Sequence, residues 1–221
     1  MGKLTTEEEL VQAIDENQYE TVRSILARID DVNALEYRKS GRYRPLHRAA
    51  YGDFVEIAEL LLDAGAYIDV LGYYRRTPLL TALCHDKLSV ASLLLERGAS
   101  LTVDDDEGDG VYELSSPSID AFNLVLEYAN KDHLKACLDT EFSRCAGFVP
   151  LDVLHLMLDL GASVSNKGST IVHYATSNPE RLRTLIELGA DVNSVDSNFD
   201  TPLHTCLLYT SPSPRDGLLS R

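Results

Sequence analysis

The 221-residue chain contains no run approaching the roughly 18 apolar residues of a membrane span, and its opening MGKLTTEEELVQ holds no apolar signal core. Neither a membrane helix nor a secretory leader is expected. Cysteine is sparse: Cys84, Cys137, Cys145 and Cys206 form no C-x-x-C pair and lie beside no His pair at metal-ligand spacing. Reduced structural thiols and no metal follow, and the absence of any N-x-[ST] acceptor agrees with a cytoplasmic or nuclear protein. Basic residues are scarce too, 20 Lys and Arg against 35 Asp and Glu, and the net charge of −15 speaks against nucleic-acid binding. There is no Walker loop and no Ser or Cys in a nucleophile-elbow setting, so no catalytic residue and no cofactor site is expected. Met1-Gly2 gives only a permissive myristoylation pattern, and Thr6 has a plainer part as a helix cap.

What the chain does have is a repeat. From Arg44 to Asp69 it reads RPLHRAAYGDFVEIAELLLDAGAYID. Pro45 suits a first helical position, and Leu46, Ala49 and Ala50 form an apolar stripe, which predicts a short first helix. After Tyr51-Gly52-Asp53, the residues Val55, Ile57, Ala58, Leu60, Leu61 and Leu62 are apolar around most of the circumference. A helix of that kind is sandwiched between neighbours. Gly65 closes it in the left-handed position that favours glycine.

Pro45 and Pro78 are separated by the same interval as Gly65 and Gly98, so start and stop recur together. Weaker copies follow at Gly161-Ala162-Ser163-Val164, at Thr170-Ile171-Val172-His173 with Gly189-Ala190-Asp191-Val192-Asn193, and at Thr201-Pro202-Leu203-His204. Period, start and stop together resemble the ankyrin-repeat family, whose unit of about 33 residues carries T-P-L-H-x-A. The resemblance implies an all-α solenoid of stacked helix pairs with β-hairpin fingers, about six repeats over residues 1–205, the last incomplete. It implies that His47, His173 and His204 hydrogen-bond backbone between repeats rather than catalyse. It also implies a protein-binding scaffold, monomeric and without cofactor.

Residues 1–35 read as the N-terminal capping repeat, opened by a capping box from Thr6 to Glu9. The connection from Asn33 to Pro45 is longer than the one from Asp69 to Pro78, an insertion of three that lengthens one finger. Arg44 stands where Thr would cap the helix, so about 1 kcal/mol of capping is expected to be missing there, while Thr77, Thr170 and Thr201 keep that role. Residues 103–148 read as two divergent repeats: Val111 replaces the expected Pro, and helices are predicted over Ile119–Tyr128, His133–Leu138 and Phe148–Leu160. Asp104 to Gly110 fails as a calcium loop, because position 12 is Ser116 rather than Glu, and reads as a solvated acidic finger. Asn166-Lys167-Gly168-Ser169 reads as a turn. Residues 206–221 read as a non-native tail translated from a sequencing adapter. Without its Arg215, Arg221 and Asp216 the chain keeps 18 basic and 34 acidic residues, a charge of −16.

The candidate partner surface is the pair of fingers and first helices after Asn33 and Asp69, with Tyr37, Arg42, Tyr43, Arg48, Tyr51, Tyr73, Tyr74, Arg75 and Arg76. Arg and Tyr dominate interface hot spots because each combines contact area with a polar end. With the acidic finger one repeat later, this surface is expected to be two-toned, meeting acidic and then basic character in a partner protein. A second reading makes the array the recruiting arm of a larger enzyme or ubiquitin-ligase adaptor.

Overall fold

The computed structural model describes residues 5–33, 44–115, 117–129, 134, 149–162, 164, 171–176, 178–196 and 198–204. The chain divides into two compact units, residues 1–129 and 130–221. No described residue lies in a strand.

The first unit is a stack of helix pairs: α1 Thr6–Asp15 with α2 Tyr19–Leu26, α3 Pro45–Gly52 with α4 Val55–Asp63, α5 Pro78–Cys84 with α6 Leu88–Glu96, and α7 Val111–Ser115 with α8 Ile119–Tyr128. First helices line up as α1, α3, α5 and α7, and second helices as α2, α4, α6 and α8. Each of α4 and α6 therefore has a neighbour on both sides, as its apolar circumference requires. Ile57, Ala58 and Leu61 of α4 and Val90, Ala91 and Leu94 of α6 are at most 1 % exposed. Gly65 and Gly98, each at φ +85°, end α4 and α6 in the left-handed conformation.

Polar bonds at the repeat period tie the stack. Asn33 donates from Nδ2 to the Gly65 carbonyl at 2.8 Å and accepts the Tyr67 N–H at 3.0 Å. Asp53 reaches the next repeat, accepting the Val90 N–H at 3.0 Å and the Ser89 hydroxyl at 2.9 Å. It thereby caps α6 from outside, where that helix has no side-chain cap of its own.

Two starts differ from expectation or lack their expected signal. The capping box sits one residue earlier than Thr6–Glu9: Thr5 accepts the Glu8 N–H and donates its own N–H to the Glu8 carboxylate at 3.0 Å. Both frames fit Thr-Thr-Glu-Glu-Glu, and the earlier one adds the Glu9 N–H to Thr5 carbonyl bond to the helix. Val111 begins α7 in register, one full period after Pro78, despite lacking the proline. Its complete burial, with Tyr112 2 % exposed, lets packing against α5 replace the local signal. Ile119–Tyr128 is helical as expected, with Ser118 accepting the Ala121 N–H.

In the second unit α9, Leu151–Asp159, is shorter than Phe148–Leu160, because Pro150 stands extended as its N-cap. α10 Ile171–Ala175 packs on α11 Pro179–Glu187, which Asn178 caps by accepting the Arg181 N–H at 3.1 Å. His133–Leu138, apart from Leu134, and residues 206–221 lie outside the described residues, as does Thr170.

Candidate protein-binding surface

The finger between α4 and α5 is a tight loop rather than a pair of strands. Gly72 N–H donates to the Arg76 carbonyl at 2.9 Å, closing a single 3-10 turn over Tyr73–Arg75. The following finger repeats that closure with Asp105 N–H to the Asp109 carbonyl at 3.1 Å. One such cross-loop bond in each finger is too few for a ladder. At the tip, Tyr74 and Arg75 hold left-handed φ of 54° and 55°, a conformation unfavourable for residues with a Cβ. The turn leaves Tyr73 and Tyr74 each 43 % exposed and the Arg75 side chain 62 % exposed. The two tyrosine rings meet edge-on at 4.1 Å between centroids. Hydrogen bonding from Tyr73 raises the pKa of the Tyr74 phenol.

Arg76 turns inward. Its Nε donates to Asp105 Oδ2 at 2.9 Å, its Nη1 to Cys84 Sγ at 3.1 Å, and its guanidinium lies 5.8 Å from the Tyr74 ring centre. The Asp105 side chain is fully buried, and Oδ1 also accepts the N–H groups of Glu107 and Asp109 at 2.8 and 3.0 Å. Burial pushes this carboxyl up, but the Asp109 N–H, the Arg76 guanidinium and the Glu107 N–H outweigh it and hold it below the usual carboxylate range. Arg75 lies 3.7 Å from Asp106, whose N–H donates to the Tyr74 carbonyl at 2.9 Å. The finger expected to be a solvated acidic loop is thus clasped to its basic neighbour. Asp105 anchors it because it is the one carboxylate there that both the turn amides and Arg76 reach.

On the first helices Arg48 makes a two-pronged bond to Asp15, 2.8 and 2.7 Å, with its side chain 23 % exposed. Tyr51, further along the same helix, is 58 % exposed and meets His85 of the next repeat edge-on at 4.7 Å. Burial, with Arg76 and Lys87, lowers the His85 pKa. Tyr37, Arg42 and Tyr43 lie outside the described residues. The structure therefore gathers Tyr73, Tyr74 and Arg75 on one exposed tip and leaves Tyr51 exposed on the adjoining helix. Arg48 and Arg76, in contrast, are engaged in holding neighbouring repeats together.

The same repeats fix the buried histidines. His47 is fully buried, and its Nδ1 accepts the Arg44 N–H at 3.3 Å, the half of a capping box in which the N3 side chain reaches back to the N-cap amide. Nε2 then carries the proton and donates to the Arg76 carbonyl at 2.9 Å. Burial dominates its titration, and the pKa falls to about 4. His173 repeats the link, bonding the Asp200 carbonyl through Nε2 at 2.8 Å. His204 instead stays local, its Nδ1 3.1 Å from the Thr201 hydroxyl.

Comparison with known proteins agrees with this geometry. Residues 10–105 match a family model described as ankyrin repeats, in three copies. Among solved structures the chain is similar to the human ASB11 ankyrin repeat domain, TM-score 0.69 at 23 % identity over 92 % of this chain and 98 % of that one. The chain carries ankyrin repeats. The array is also similar to the Bcl-3 ankyrin repeat domain, TM-score 0.67 at 23 % identity over 89 % of this chain and 92 % of that one. At that identity the likeness concerns the fold alone. In sequence it is similar to the E3 ubiquitin-protein ligase KEG of Arabidopsis thaliana, 34 % identical over 49 % of this chain and 6 % of the relative. It is also similar to the transient receptor potential cation channel subfamily A member 1 of Homo sapiens, 25 % identical over 74 % and 13 %. The chain thus spans a small part of these relatives. Ankyrin repeats are in general protein–protein interaction modules.

Within these ankyrin repeats, sequence reasoning missed Asp15, Asp105 and His85 as neighbours of the candidate residues. A signal existed for some of them: Asp15 and Arg48 are one full repeat apart, the separation at which their side chains meet. Side chains in the same phase of successive repeats face each other, and opposite charges in that phase pair. Among the described residues no helix is long and apolar enough to cross a membrane.

Proposed function

We propose that this chain binds a partner protein through the finger tip Tyr73-Tyr74-Arg75 and the exposed face of the adjoining first helices around Tyr51. Support comes from the tip itself. A turn with two consecutive left-handed, non-glycine residues keeps two tyrosines and an arginine in solvent, where a relaxed loop would be more stable. Such strain accompanies functional loops, and aromatic rings held at low rotamer entropy make effective contact anchors. Tyr37, Arg42 and Tyr43, one repeat earlier in the sequence, are further candidates of the same residue types. Arg48 and Arg76 serve it indirectly by fixing the helices and fingers that present it. The chain acts as a monomeric intracellular scaffold with no catalysis of its own.

A recruiting role within a larger ubiquitin ligase is the second reading. The similarity to a small part of an E3 ubiquitin-protein ligase favours it. The test of binding starts from a partner isolated by affinity capture, against which Tyr51, Tyr73, Tyr74 and Arg75 are each changed to Ala. A hot spot weakens binding about fivefold or more at one or more of these positions with the Tm unchanged. Four neutral substitutions would place the contact elsewhere.

A further inference from the structure

Arg181 is a buried cation that lacks a counter-charge. It is the third residue of α11 and only 6 % exposed, and its Nη2 donates to the Val149 carbonyl at the entry to α9. Its Nε is buried without a hydrogen-bond partner. Burial lowers its pKa, and no neighbouring carboxylate opposes that shift. The repeat shows what this seam lacks. The third residues of α4 and α6 are Ile57 and Val90, both at most 1 % exposed, so Arg181 fills a slot that is apolar in those two helices. Two residues before α4 stands Asp53, whose carboxylate crosses to the next repeat and accepts the Val90 N–H and the Ser89 hydroxyl. Two residues before α9 stands Val149, which brings no carboxylate. The same seam thus joins an oxyanion to the start of α6 in the first unit, but a guanidinium to a carbonyl in the second. The acids in the first turns of α9 and α11 do not match that charge: Asp152 accepts the Val153 N–H of its own helix, and Glu180 is exposed.

We infer that the seam between α9 and α11 binds a small oxyanion, phosphate or a carboxylate, on the Arg181 guanidinium beside the N-terminus of α9. Leaving a buried charge unpaired is costly, and an anion removes that cost. The planar guanidinium fork suits the ligand, since Nη2 keeps its bond to Val149 while Nε is left to donate. The positive end of the α9 dipole favours the same sign of charge. Asn178 already satisfies the Arg181 N–H, so the side chain rather than the backbone of α11 is the group to be neutralised. This site uses no residue of the finger-tip surface and stands or falls separately from it.

The probes are inorganic phosphate and, separately, acetate, exchanged for chloride at constant ionic strength and read by NMR of the arginine Nε–H groups of the full chain. The expected result is a shift at Arg181 that saturates by about 20 mM, while Arg183, exposed on the same helix, moves little. Saturation by phosphate, by acetate or by both supports the inference and says which oxyanion the seam accepts. Phosphate also stabilises proteins by exclusion from their surface, so the thermal test is comparative. It should raise the Tm of the unchanged chain by about 2–4 °C more than that of Arg181→Ile, which restores the residue found at Ile57. Arg181→Lys keeps the charge without the fork and should bind phosphate at least about fivefold more weakly, read from amide shifts in α9 and α11. No saturable shift at Arg181 by about 50 mM of either anion would overturn the inference. Equal shifts at Arg181 and Arg183, or an equal Tm rise in Arg181→Ile, would mark an adventitious ion only and overturn it as well.

Discussion

Replacing Asp105 tests whether the two fingers are one mechanical unit. The side chain is fully buried, donates nothing, and accepts three N–H groups, from Arg76, Glu107 and Asp109. Asp105→Asn keeps the amide oxygen for the two turn N–H groups but loses the charge opposite Arg76, whose own side chain is 19 % exposed. A charge-assisted bond is worth about 1.5–3 kcal/mol, and partial access of Arg76 to water places the loss near the lower end, about 1.5 kcal/mol. Asp105→Ala also orphans the Glu107 and Asp109 amides, which adds about 1–2 kcal/mol for a total near 3. Urea unfolding followed by circular dichroism measures both, and a cycle with Arg76→Ala isolates the pair. Coupling of about 1.5 kcal/mol or more is expected. A coupling below about 0.5 kcal/mol would refute the clasp, because exposed ion pairs reach that value without fixing anything.

Because the folded pKa of His47 is depressed from the ordinary 6.5 to about 4, its neutral form stabilises the fold fully above pH 6.5. That contribution is lost as pH falls from 6.5 toward 4, and His47→Gln should flatten the pH dependence of the urea midpoint across that window. Gly72→Ala places a Cβ 2.6 Å from His47 Nε2, so it should cost about 1–3 kcal/mol in denaturant titration by displacing the link to Arg76. Arg75→Gly relieves one left-handed residue and should raise stability by about 1 kcal/mol while lowering partner affinity; a loss of stability would argue that the tip is not strained. Amide exchange should be faster in α7 and α8 than in α5 and α6, since α7 is a single short turn without a proline start.

The stack was legible because its signals are local and repeated: Pro45 and Pro78 mark starts, Gly65 and Gly98 mark stops, and the apolar circumference of Val55–Leu62 demands neighbours. Val111 shows where such reading fails. Its helix forms from tertiary packing, so no capping residue announces it. The candidate surface was legible in part. Composition pointed to Tyr51, Tyr73, Tyr74 and Arg75, which are exposed, but equally to Arg48 and Arg76, which are bound inward. What separates the two sets is the partner carboxylate, 33 residues away for Arg48 and 29 for Arg76. The period brings Asp15 to Arg48, whereas Asp105 reaches Arg76 only because its own turn folds it under the finger. Thr5 and Thr6 were indistinguishable by spacing, since each has a Glu three residues on.

Site-specific photocrosslinking shows on which side of the array a partner sits. A benzoylphenylalanine at position 74 on the finger tip, at position 51 on the first helix, or at position 59 on the exposed outer side of α4 is irradiated in the presence of the captured partner. Covalent adducts from positions 74 and 51, and none from 59, are the expected result. Adducts from 59 alone would put the partner on the second helices and contradict the finger and first-helix surface.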